Sequence, residues 1–520
     1  MKYFQNLFLI CIAALACNQK LKSPDNTVRI DTTQNQDLMT GRITNAQFHE
    51  VDSLLKINHV ESALGRLKEM KAQFGQSGDW DAYLRSVMST CQIYANSEDG
   101  IRKVIDYLDT EIKEASSPAR SILLNLQAGT YVSYLNTRRY QQDNVSETSA
   151  DNTDPDIATW SLAQLQNKAQ QLFIESLADS ATKTIRLNDL HLITTSERPP
   201  YVISTLFDFL SARVLEYMDN PQNYLTEPVY KFTMKGAAWF MPYDKFIHIN
   251  IASPDTSSSI YQGMLVYQEL IRYQLEMGQD TSLFWYSNLG RLKFAYEHSV
   301  DPEKDKLYLA SLDEFIFNGK GGDWKSQYMW ERIALMQSTD TYDVSEQGKG
   351  DKDLLKKLKS EADKIIKLYP RTPAAAQASS FISNLQAVSV QIKGEEVQLP
   401  SKPFFLTLDY KNASACDYTI YRLTQDEFIE LQKNRRDNKS TPGQIERKSS
   451  ASLINPGDYR SHTAEIKVDG LNQGYYAIAT DSENFKDYNY GLFQVSNLAV
   501  IGNNMTIDIG AGPTDMVRVQ

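Results

Sequence analysis

Six histidines, His49, His59, His191, His248, His298 and His462, are the side chains from which a metal or proton-transfer site would be built, and no two stand at ligand spacing. His-Glu-x-x-His, which sets two imidazoles on one helical face beside a carboxylate base, does not occur, so zinc-protease chemistry has no support. His49 and His298 each neighbour a glutamate, a pattern that reads as a surface pair. Gly319-Lys320-Gly321-Gly322 and Gly348-Lys349-Gly350 lack the Lys-Ser/Thr ending with which a phosphate loop grips its ligand and magnesium. Gly75-Gln76-Ser77-Gly78 is not the Gly-x-Ser-x-Gly elbow that exposes a nucleophile after a strand. Asp151-Asn152-Thr153-Asp154-Pro155-Asp156 is rich in oxygen ligands. It carries a proline and lacks the glutamate at position twelve of a calcium loop. Glu395-Glu396 reads as a solvated turn before a strand. No catalytic constellation survives, and the chain reads as non-enzymatic, with neither cofactor nor metal.

Four cysteines remain, Cys11, Cys17, Cys91 and Cys416, with no Cys-x-x-Cys among them, which removes thiol-redox and Cys-type zinc sites. Cys91 falls in a helical stretch and Cys416 in a strand-rich one, so a disulfide between them is not expected. Cys17 is different. Met1-Lys2 opens a short basic region, and Leu7 to Ala16 is nearly all apolar. That run is too short to span a bilayer and fits a secretory signal. Ala14-Leu15-Ala16-Cys17 resembles a bacterial lipobox, with Ala14 standing where leucine is preferred. The resemblance implies that residues 1–16 are removed as a signal peptide and that Cys17 is the lipid-attachment residue, anchoring the chain in the cell envelope on the periplasmic side. Several acyl chains are needed for stable anchoring, since one alone is marginal. Residues 17–44, rich in Asn, Thr, Asp and Gln, then read as a flexible tether.

With 520 residues, 42% hydrophobic and 23% charged, the chain has an ordinary globular composition and length for several domains. Lys plus Arg number 54 against 65 Asp plus Glu, a net charge of −11, which argues against nucleic acid as a partner because phosphate binding needs clustered cations. The 29 tyrosines suit sugar-stacking or protein contacts, but fit better as filling between packed helices.

Residues 45–387 follow the helical period. Phe48, Val51, Leu54 and Leu55, then Ala63, Leu64, Leu67, Met70 and Phe74 mark two amphipathic helices. Further helices are expected at Trp80–Ala95, Ile101–Glu114, Ser121–Thr137, Ala158–Ser180, Thr205–Tyr217, Ile260–Met277, Leu283–Glu297, Asp305–Phe317 and Ser326–Gln337. A polar insert runs through Tyr140–Asp156, and the proline-bearing Asn220–Asp255 reads as irregular. Leu354–Tyr369 ends at Tyr369-Pro370 and pairs with the alanine-rich Thr372–Leu385 in a hairpin resembling a tetratricopeptide unit. With no strict period across the region, the expectation is an irregular helical repeat.

Beyond residue 388 the period changes to two. Phe404, Leu406, Leu408 and Tyr410 alternate with Phe405, Thr407 and Asp409. Further strands are expected at Tyr418–Leu423, Ala464–Val468, Tyr475–Thr480 and Leu492–Val500, separated by turn signals such as Lys411-Asn412 and Asn455-Pro456-Gly457-Asp458. The fold class expected is therefore α + β and multidomain: a helical arm, then one Ig-like antiparallel β-sandwich over residues 388–501. Residues 502–520 would be the truncated start of a further β-domain, with Met505-Thr506-Ile507-Asp508-Ile509 as an unpaired strand.

Three stretches carry a family resemblance. Phe48-His49-Glu50-Val51-Asp52-Ser53-Leu54-Leu55, with Ser62-Ala63-Leu64 after it, is the first, and Thr205-Leu206-Phe207-Asp208-Phe209-Leu210-Ser211-Ala212-Arg213 the second. The third runs through Pro400-Ser401-Lys402-Pro403, Asp409-Tyr410-Lys411-Asn412, Tyr418-Thr419-Ile420-Tyr421-Arg422, Gly474-Tyr475-Tyr476 and Phe493-Gln494-Val495-Ser496-Asn497-Leu498. In this order, behind a lipobox, they resemble the bacterial alpha-2-macroglobulin family in its lipoprotein branch: a helical N-terminal extension followed by the first macroglobulin-like domain. The resemblance implies the N-terminal portion of a periplasmic endopeptidase inhibitor, serving as membrane anchor and scaffold, with proteases or envelope proteins as partners. The family's protease-cut bait segment and Cys-x-Glu-Gln thioester are not found here; Thr90-Cys91-Gln92 and Ala415-Cys416-Asp417 fit neither. The resemblance further implies an interrupted or incompletely read gene. A second reading is a helical-repeat lipoprotein that binds nutrients or serves a transporter or envelope complex.

Overall fold

The computed structural model describes residues 46–140, 156–190, 204–220, 231–277, 282–319, 322–342, 350–433, 443–480, 490–503, 506–511 and 516–519. Cys17, the tether, most of the Tyr140–Asp156 insert and the turn 481–489 lie outside them. The chain is helical over most of its length with β-sheet at its C-terminal end, an α + β architecture, and divides into two compact units at Ser311/Leu312.

In the first unit a helix over 46–56 (α1) precedes α2 (Val60–Ser77), α3 (Trp80–Ala95), α4 (Gly100–Glu114) and α5 (Ala119–Tyr140). Then come α6 (Leu162–Glu175), α7 (Leu206–Asp219), α8 (Ser259–Glu276) and α9 (Ser282–His298). Each start has a local cause. Asp79 accepts from Ala82 N, and Ser161 with Gln164 and Thr205 with Asp208 form capping boxes that satisfy the first orphan amides of α6 and α7. The long helix expected over Ala158–Ser180 is broken in two places. Asp156 and Asp179 each cap a 3-10 turn, Ile157–Thr159 and Ser180–Lys183, and Ser161 restarts the chain between them. Helices that follow one another pack together, α2 on α3, α4 on α5, α5 on α6 and α7 on α8. The α8–α9 approach is close: a Cβ on Gly263 would stand 2.6 Å from the Phe294 ring. Tyrosines do fill these contacts, with Tyr131, Tyr217, Tyr273 and Tyr308 buried in ring pairs. Helix α10 (Lys304–Asn318) contains the division between the units.

The second unit opens with α11 (Lys325–Ser338), α12 (Leu354–Leu368) and α13 (Pro373–Gln386). Leu354, Leu355, Leu358, Ala362 and Ile365 form one buried stripe of α12. They pack on Ala374, Ala375, Ala378, Phe381 and Leu385 of α13 and on Ile333 of α11. Alanines let the two backbones come close, and the hydrophobic effect then holds them.

Eleven strands follow among the described residues: β1 (Ser389–Lys393), β2 (Val397–Gln398), β3 (Phe404–Lys411), β4 (Ala415–Leu423), β5 (Gln444–Ser452), β6 (Ser461–Val468), β7 (Gly474–Thr480), β8 (Tyr490–Val495), β9 (Leu498–Asn503), β10 (Thr506–Ala511) and β11 (Met516–Val519), with α14 (Gln425–Lys433) between β4 and β5. One sheet runs β1-β3-β6, a second β2-β8-β7-β4-β5, and their inner faces share a core of Leu406, Leu408, Ile420, Tyr476, Ile478 and Val495 with their neighbours. Three expectations need correction, and two elements come in addition to those expected. The sheets are not wholly antiparallel, because β2 pairs parallel to β8. The strand expected over Leu492–Val500 is two strands, β8 and β9, in different sheets. The strand near 506 is not unpaired: β10 is flanked on both sides, antiparallel, by β9 and β11. Finally, β5 and α14 were not anticipated. As an edge strand β5 fully buries none of its residues, and with only Ile445 and Ala451 apolar it shows no hydrophobic alternation.

Candidate functional site

The second unit is the richer in site-like features, which arise where its helical hairpin meets its sheets. The last carbonyls of any helix lack intrahelical donors. Those of α13 find them in the β3–β4 turn: Lys411 Nζ donates to Asn384 O at 2.8 Å, and Asn412 Nδ2 donates to Leu385 O at 2.7 Å and to Ala387 O at 3.0 Å. Asn412 takes a left-handed φ of 56°, a conformation asparagine tolerates better than most residues. The turn signal Lys411-Asn412 is thus also the cap of a helix distant in sequence.

A second join lies in the β5–β6 connection. Tyr459, with φ 62°, packs against the α12–α13 core. Arg460 pairs with Asp340 at 2.8 Å, both side chains about nine-tenths buried. The guanidinium also sits over the Tyr342 ring at 4.4 Å and donates to Asp351 O at 3.2 Å. A buried ion pair is tolerable only when its remaining hydrogen-bond capacity is met, and here carbonyls and an aromatic face meet most of it. Beside it His462 contacts Asp458 at 3.0 Å and lies against Tyr410.

Beside the first of these joins lies a cleft of about 500 Å³. Trp330 and Gln337, seven residues apart on α11, form one wall. The other is the outer face of α13 from Ala376 to Leu385, and Lys411 closes the end. Trp330 and Phe381 meet edge to face at the floor, centroids 6.0 Å apart. Burial holds the Lys411 ammonium below its ordinary pKa, and among the described residues no carboxylate lines the cleft. This arrangement offers an apolar floor, amide and hydroxyl rims and, among the described residues, one cation.

Elsewhere the residues singled out from sequence do not converge. Cys91 and Cys416 are free thiols, both buried, and burial, reinforced by Glu111, pushes the Cys91 thiol far up, so it is no nucleophile. His298 is not a surface residue. It is mostly buried, 2.8 Å from Asp219, with its ring on Phe294. Glu111 is buried against Lys71 and the Tyr83 hydroxyl inside the first unit. Asp208 accepts from Ser204, Thr205 and Gln274, which spends it on helix capping. Among the described residues no cluster of three or more His, Cys, Asp or Glu could hold a metal ion, and no helix is long and apolar enough to cross a membrane. The Arg460 join and the cleft were both missed in the sequence, because their members are scattered from Trp330 to Arg460 with no local motif.

The fold so described is that of an α + β chain with a helical N-terminal part and a C-terminal β-region. No family model and no curated protein matches the chain. Among solved structures it is weakly similar to native alpha-2-macroglobulin from Escherichia coli, spanning domains MG0-NIE-MG1. That match is 19% identical, with a TM-score of 0.19, and covers 24% of this chain and 44% of that chain. At that score the likeness carries neither fold nor function to this chain.

Proposed function

We propose that this chain is the N-terminal part of an envelope protein of the alpha-2-macroglobulin type. It would be lipid-anchored through Cys17 and serve as non-enzymatic anchor and scaffold, while inhibition of endopeptidases belongs to the whole protein. The observation that carries this reading is the ordered set of family-like stretches behind a lipobox. The third of them falls on β3, β4, β7 and β8, which build two face-to-face sheets around one core, a layout of the kind a macroglobulin-like sandwich requires. The anchor is tested by metabolic labelling with radioactive palmitate in a bacterial host. Label and membrane-fraction recovery are expected for the native chain, and both are lost in Cys17→Ala. Retention of label in that variant would remove the anchor. The inhibitor reading is tested by incubating the whole gene product with trypsin. A trap leaves cleavage of small peptide substrates intact while protecting large protein substrates, and the 520-residue chain alone is expected to protect neither.

The second reading, a helical-repeat lipoprotein binding a nutrient or an envelope partner, is favoured by one observation, the cleft beside Trp330. Saturable binding of a glycan to the chain would support it over the first.

A further inference from the structure

We infer that the cleft between α11 and α13 is a docking site for an extended acidic peptide. An aliphatic or aromatic side chain of the peptide would lie on Trp330 and Phe381, with a neighbouring carboxylate on Lys411. Shape comes first. The volume, about 500 Å³, lies within the roughly 300–1,000 Å³ of pockets that take small ligands. The α13 wall is about 14 Å long at 1.5 Å per helical residue, the span of roughly four extended residues at about 3.3 Å each.

Charge complementarity names the occupant. The chain carries −11 overall, yet among the described residues this lining holds no acid and one ammonium. Only one of the three Lys411 donors is engaged, by Asn384 O, and no described carboxylate pairs with it. The side chains of Gln337, Ser380 and Asn384 make no hydrogen bond to the described protein, so the rim presents amide and hydroxyl groups, donors and acceptors alike, to whatever enters. Backbone carbonyls and carboxylates are acceptors and match those donors. A neutral saccharide is the poorer fit, since it brings no negative charge to the Lys411 ammonium. The inference does not depend on the anchor: removing Cys17 would leave the cleft as it is.

The test is fluorescence anisotropy on the full chain with a fluorescein-labelled hexapeptide of alternating Asp and Leu, beside its Asn-for-Asp counterpart. Saturable binding of the acidic peptide only is expected. Lys411→Gln, or Asn384→Asp, which sets a carboxylate beside the ammonium, should weaken it about tenfold. Ser380→Trp, on an exposed helical position, should fill the cleft and abolish binding while leaving the circular dichroism spectrum unchanged. Equal affinity for both peptides, no binding, or full binding by the Ser380→Trp variant would overturn the proposal. So would binding of an oligogalacturonate probe in place of the peptide, and that last result would favour the glycan reading instead.

Discussion

Arg460 carries the most consequential single-residue chemistry in the second unit. Its guanidinium and the Asp340 carboxylate are each about nine-tenths out of solvent, so neither charge can be recovered by water if its partner is removed. Breaking a buried pair from one side costs about 3–5 kcal/mol. Asp340→Asn and Arg460→Met are each therefore expected to lower the urea midpoint sharply. The double change Asp340→Leu with Arg460→Met should be far milder than the sum of the singles, because no orphaned charge remains. A chemical-denaturation cycle checks this, and additivity within about 0.5 kcal/mol would show that the pair is not coupled. Nothing near Arg460 in the sequence announces the pairing, since the partner lies 120 positions upstream and the carbonyls it serves belong to a different element.

At the scale of elements, the α13 cap shows how a turn and a helix share one device. Asn412 both adopts the left-handed φ and donates to the carbonyls of Leu385, in the last turn of the helix, and Ala387, its C-cap. Asn412→Gly keeps the backbone freedom but loses the donors, and Asn412→Ala loses both. Each net hydrogen bond is worth about 1 kcal/mol, and an alanine in the left-handed region adds about 1 kcal/mol more. The order of thermal stability expected is therefore native, then glycine, then alanine, read by circular dichroism melting; alanine above glycine would refute the argument. Helix ends generally were legible here, and the Trp80–Ala95 helix matches the expected bounds. Two elements escaped. Helix α14 begins at a Thr424–Glu427 capping box, a local signal carried by the sequence between stronger strand patterns. Strand β5 had no signal to find, because an edge strand that fully buries none of its residues can be largely polar.

For the whole molecule, the division at Ser311/Leu312 gives two units with their own cores. Chains of this kind commonly unfold in more than one step. Differential scanning calorimetry is expected to resolve two transitions. Leu358→Ala, at a fully buried position of the α11–α13 core, should cost about 2–5 kcal/mol and move one transition only. A single transition shifted as a whole would mean that the units unfold together.

The α + β class, the order of helices before strands, most helical bounds and the absence of local catalytic motifs follow from the sequence alone, because periodicity, capping residues and turn formers act over a few positions. Where a residue meets distant partners, only the tertiary structure decides. It paired β2 parallel to β8 and set β9 into a separate sheet with β10 and β11. It buried β4 on both faces, between the shared core and α14, and drew Trp330, Phe381 and Lys411 around one cleft. Strand partners and cleft walls are chosen by which apolar faces are buried together and which backbone groups remain to be satisfied, a condition on the assembled chain that no short window of residues contains.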